Sequence, residues 1–125
     1  MGRVRVYHGD ILPVRLVIAN GFDDAKQLRT ALIRRSLIDS DYRLDDRSPC
    51  SLASCYLGYD DGADAIIALW SEPSVPLIAH EATHAAVHYC ECLGIEISSY
   101  SDEPLAYLVQ WVCQMAIDGC GQCNK

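Results

Sequence analysis

Positive charge is scarce in this chain: ten Lys and Arg stand against seventeen Asp and Glu, a formal net charge of −7. Neither nucleic acid nor an anionic membrane is attracted to such a surface, so both partner classes are set aside. Long apolar runs are missing too. No stretch approaches the roughly 18 residues of a membrane-spanning helix. Arg3 and Arg5 could open a charged leader, but His8, Asp10, Pro13 and Arg15 prevent an apolar run of signal length, so no secretory signal is expected. Val6 stands where N-myristoylation needs Ser or Thr. Internal repeats, low-complexity tracts and linkers are absent, and a length of 125 residues suits one domain, 1–125, with a proper core. The expected compartment is the cytoplasm.

Cysteine is the exception to this restraint. Seven occur, at 50, 55, 90, 92, 113, 120 and 123. An odd number without a secretion signal favours reduced thiols over a disulfide framework. Cys90-x-Cys92 and Cys120-x-x-Cys123 could pair as a structural zinc site, although the first spacing is tighter than usual. The plainer expectation is buried thiols and a loose C-terminal tail. A redox role for Cys120-Gly121-Gln122-Cys123 is poorly supported, since that pair opens no helix that would activate it.

In chain order, Val4 to Tyr7 and Leu16 to Ala19 read as short strands separated by Gly9-Asp10 and Pro13. Asp23 or Asp24 can cap a helix running through Leu28, Leu32, Ile33 and Leu37. Asp39 to Pro49 is charged and irregular, a surface connection. Ser54 to Asp60 and Ala63 to Trp70 then form a hairpin around Asp61-Gly62, a favoured two-residue turn. Within the second run Ala65 to Trp70 is apolar on both faces, as in a central strand; in the first, Cys55 to Tyr59 alternates more and suits an edge. Next comes a helix from about Val75 to Cys92, with Pro76 in its tolerant first turn and Gly94 as its stop. A last helix begins near Ser101, carries Leu105, Leu108, Val109, Val112, Met115 and Ala116 on one side, and ends at Asp118-Gly119.

The helix from Val75 holds the chemistry. His80-Glu81-Ala82-Thr83-His84 places two imidazoles about 40° apart around a helix of 3.6 residues per turn, so both can address one metal ion. Glu81 lies beside them, where a carboxylate could hold a water bound to that metal. Leu77, His84, His88 and Glu91 share the His80 side within about 80°. Ile78, Ala79, Ala82, Ala85, Ala86 and Tyr89 gather opposite, an alanine-rich face suited to close packing. Neutral imidazoles suit zinc, and an open coordination position lets the metal acidify water.

A catalytic zinc site needs a third protein ligand. A His-x-x-Gly-x-x-His continuation fails, because Val87 and Cys90 stand where Gly and His are required. His88 lies a further turn along, about 6 Å from His84 on a straight helix. Glu103 is the better candidate: it comes 19 residues after His84 at the start of the next helix, which can fold back. Neighbouring Asp102 is an open alternative.

His80-Glu81-x-x-His84 with a helical glutamate about twenty residues later resembles the gluzincin zinc metallopeptidases. The short chain with a hairpin before the metal helix resembles their minimal single-domain members, several of them encoded by phages or prophages. The resemblance spans roughly residues 54 to 117 and lacks the Asn-Glu-x-x-x-Asp signature of larger members. It implies a small zincin-like α+β domain: a mixed twisted sheet with a hairpin packed on an N-terminal helix and the metal helix, then a glutamate-bearing C-terminal helix. It implies Zn²⁺ held by His80, His84 and Glu103, with Glu81 as general base to a zinc-bound water that cleaves a peptide bond. An edge strand would hold an extended peptide or protein substrate by backbone hydrogen bonds, and the setting would be a bacterial or phage-infected cell. Tyr107, one turn after Glu103, and His88, one turn after His84, are candidates to stabilise the oxyanion or to orient ligands. The rival expectation is a catalytically inactive zinc-binding or protein-interaction module, phage- or host-associated, that retains the fold.

Overall fold

A computed structural model describes residues 2–10, 12–38, 52–56, 63–69 and 74–120. Its elements run β1 (Arg3–His8), β2 (Val14–Asn20), α1 (Ala25–Arg34), β3 (Leu52–Tyr56), β4 (Ala63–Leu69), α2 (Val75–Leu93) and α3 (Glu103–Cys120). The strands form one mixed sheet in the order β1-β2-β4-β3. β1 and β2 are antiparallel, β2 and β4 parallel, and β3 and β4 antiparallel. The class is α+β, as the element pattern implies.

β4 is buried along its whole length, which is why, Asp64 apart, its sequence is apolar on both faces. Ala63, Ala65, Ile67 and Leu69 join Leu16 and Ile18 of β2 in a core covered by α2 and α3. The alternate residues Ile66 and Ala68 join Val17 and Ala19 beneath α1, through Leu28 and Leu32. The sheet is thus sandwiched between one helix and two.

Two details differ from the expected pattern. The β3–β4 register sets Tyr56 opposite Asp64 and Leu52 opposite Ala68. A two-residue turn at Asp61-Gly62 would instead set Tyr59 opposite Asp64, so the pairing is displaced by three residues. β4 is apolar on both faces, and its pattern therefore does not select the residue that stands opposite. Residues 57–62 themselves lie outside those described, as do the expected connection 39–49 and Cys123.

Helix α1 ends at Arg34 rather than running through Leu37. Asp24 caps its start, accepting a hydrogen bond from the Gln27 amide at 2.8 Å. At its far end Ser36 has a left-handed φ of 59°, and the Leu37 amide donates back to the Leu32 carbonyl at 2.9 Å. This reversal turns Leu37 under the helix into the core, so the apolar periodicity outlasts the helix itself.

Candidate metal centre

Helix α2 has well-defined ends. The Ser74 side chain accepts from the Leu77 amide at 3.2 Å, Pro76 sits in the first turn, and Gly94 closes the helix with φ 70°. Ala82, Ala85 and Ala86 are fully buried with Leu108, Val112 and Ala116 of α3. Small side chains let the two helices approach closely. The Tyr89 hydroxyl donates to the Arg15 carbonyl at 2.7 Å, tying α2 to β2.

On the opposite side of the helix His80 and His84 stand exposed, the His80 side chain at 65%. Their Nε2 atoms lie 3.3 Å apart, with the rings at 77° to one another. Two nitrogens bound at ~2.05 Å to a tetrahedral zinc are separated by about 3.3 Å. The same distance is long for a direct N–H···N hydrogen bond. The pair therefore fits two corners of a zinc site.

Glu81 is buried, its side chain 7% exposed, with Oε2 3.9 Å from His80 Nε2. Among the described residues no hydrogen bond reaches this carboxylate. Burying a carboxylate without donors is costly, and Glu81 sits beside the two imidazoles at that cost.

The third ligand is a different matter. Glu103 is the first residue of α3 and is exposed, as is Asp102 before it. Among the described residues no group of three His, Cys, Asp or Glu side chains comes together to hold a metal. Among the described residues His80 thus pairs with His84 beside Glu81, and Glu103 is not gathered with them into a metal-holding group.

The candidate orienting residues are embedded in structure. Tyr107 is half-buried against the core between the sheet and the two helices. His88 is half-buried; desolvation pushes its pKa below the ordinary 6.5, against the charge of Glu91 and the backbone and charge of Asp64. Its Nε2 is 3.3 Å from the Cys92 sulfur. Cys90 is buried, and burial raises the thiol pKa values of Cys90, Cys92 and Cys113. Burial thus disfavours the reactive thiolate form of all three. The contact between His88 and Cys92 is legible in their spacing of four, the same spacing that joins His80 to His84.

Asp64 belongs to no sequence motif, yet it is almost fully buried and forms a bidentate pair with Arg15 at 2.9 and 2.7 Å. Its signal in the sequence is one acid at the head of an apolar strand and one Arg at the head of another. A separate cavity of about 510 Å³ lies beside α1, lined in part by Phe22, Lys26, Thr30 and Arg34, with no histidine in its wall. No helix among the described residues is long and apolar enough to cross a membrane. No protein-family model, curated protein or solved structure matches this chain.

Proposed function

We propose that this protein is a zinc-dependent metallopeptidase of zincin-like architecture, with His80 and His84 as metal ligands, Glu81 as general base and Glu103 as the third ligand. The observation that carries it is the His80–His84 Nε2 separation of 3.3 Å beside the buried Glu81 carboxylate, which no hydrogen bond reaches among the described residues. A bound zinc would supply a Lewis acid and an acidified water. The chain's own residues do the rest. His80 and His84 would hold the ion at the exposed face of α2, and the buried Glu81 carboxylate lies beside them to accept a proton. Glu81 takes a proton from the attacking water and returns it to the leaving amine. β3, at the edge of the sheet, offers backbone groups to an extended peptide.

The lack, among the described residues, of a group of three candidate ligands favours a second reading, a zinc-binding or interaction module without catalysis. Hydrolysis of a quenched-fluorescence peptide library distinguishes the two. The wild type should cleave members of the library, and Glu81→Gln should lose cleavage by at least about 100-fold with its zinc content unchanged. Equal cleavage by both proteins would refute Glu81 as the base; zinc without any cleavage would favour the second reading.

A further inference from the structure

We propose that the cavity beside α1 is a binding site for a small aromatic oxyanion, a phosphate or carboxylate group carried on a flat apolar body. The proposal is independent of the metal-site reading, since α1 covers the face of the sheet opposite α2.

The first ground is how charge is distributed. Residues 1–35 carry seven of the ten Lys and Arg against three Asp, a local charge of +4. Residues 48–124 carry no Lys or Arg and ten Asp and Glu. The part of the molecule built from β1, β2 and α1 is therefore positive within a chain whose net charge is −7. It attracts small anions that the rest of the molecule repels.

The second ground is the charged side of the cavity. Its volume of about 510 Å³ falls in the range of small-molecule sites, roughly 300–1,000 Å³. Lys26, Thr30 and Arg34 of its wall recur at every fourth residue and form one row along the helix. Each cation stands about 6 Å of helix to one side of Thr30. The threonine hydroxyl turns back onto the helix, donating to the Lys26 carbonyl at 3.0 Å, which leaves the outward face of the row to the two cations. α1 contains no acidic residue, so neither cation has a partner along its own helix. The acid in the wall is Asp24, which caps the end remote from Arg34 and accepts the Gln27 amide at 2.8 Å. An oxyanion seated over Thr30 is within reach of both long side chains, and the guanidinium fork of Arg34 matches two of its oxygens.

The third ground is the apolar side. Phe22 lines the same cavity, and Gly2 lies so close to its ring that a Cβ there would strike it. The ring is thus held against backbone, and together with Ala31 it offers a surface on which an aromatic body can lie. A bare oxyanion would leave this wall unused, and a neutral aromatic would leave the cations unused. An aromatic oxyanion uses both.

An NMR titration of ¹⁵N-labelled protein tests this, with phenyl phosphate, benzoate, inorganic phosphate and benzyl alcohol as probes. Phenyl phosphate or benzoate should shift the backbone amides of Gln27, Thr30, Ala31 and Arg34 saturably, and the tighter of the two identifies the acid group. Inorganic phosphate and benzyl alcohol should each bind at least about tenfold more weakly. Lys26→Gln and Arg34→Gln should each weaken the aromatic anion by about tenfold or more. Arg5→Gln, which removes a charge outside the wall, should bind as the wild type does. All three residues are exposed, so circular dichroism should show the variants folded. An absence of saturable shifts with both aromatic anions, or shifts centred elsewhere, would overturn the proposal. So would inorganic phosphate or benzyl alcohol binding as tightly as the aromatic anion. Equal weakening by Arg5→Gln would overturn it too, since the attraction would then be diffuse and not a seat on α1.

Discussion

The Arg15 guanidinium and the Asp64 carboxylate face each other across the parallel β2–β4 pair, at equivalent positions in the register, and meet through two hydrogen bonds. Asp64 is 1% exposed, and the carbonyl of Arg15 receives the hydroxyl of Tyr89 from α2. This polar knot therefore anchors α2 to the central strands. Its value is in specifying how the helix sits as much as in net energy, since burying both charges offsets much of their attraction.

Removing one partner is costly. Asp64→Asn leaves Arg15 in the wall without its anionic partner, and about 3 kcal/mol of stability should be lost. Urea unfolding of the two proteins measures it. A loss below about 0.5 kcal/mol, the size expected at an ordinary surface position, would show that the pair does not anchor the helix.

The end of α1 offers a change of opposite sign. Ser36 adopts φ 59°, which a side chain tolerates poorly and glycine accepts freely. Ser36→Gly should therefore raise stability by about 0.5–1 kcal/mol, despite the greater freedom of glycine in the unfolded chain. Thermal unfolding should show the midpoint rising by a few degrees. A lower midpoint would mean that Ser36 is not strained.

Stability should also fall in mild acid. Desolvation lowers the pKa of His88 in the folded protein, whereas the unfolded imidazole titrates near 6.5. Below that pH the unfolded state binds the extra proton, so stability declines as the pH drops from about 6.5 towards the lowered folded value, then ceases to change on this account. In metal-free protein, His88→Gln should reduce the slope of unfolding free energy against pH in this window. Identical slopes would exclude His88 as a source.

The chain's periodicities carry most of the fold. Apolar residues on both faces of 63–69 mark a central strand, and Pro76 and Gly94 bracket α2. The β3–β4 register is not encoded in this way, because a strand buried on both faces fits several partners equally well. Nor is the end of α1, where Leu37 keeps the helical spacing after the backbone has reversed at Ser36. At the site, the spacing of four that joins His80 to His84 is a local property of a helix, and the sequence alone conveys it. Whether Glu103 meets them depends on how α2 and α3 pack. That is a property of tertiary structure, which a spacing of 19 residues does not encode.

The most direct test of the metal centre is the zinc content of the purified wild type beside His84→Ala and Glu81→Gln. The wild type and Glu81→Gln should each carry about one zinc per chain, because the base is not a ligand, and His84→Ala should carry none. Zinc that survives the loss of His84, or a wild type that binds none, would contradict a metal centre on α2.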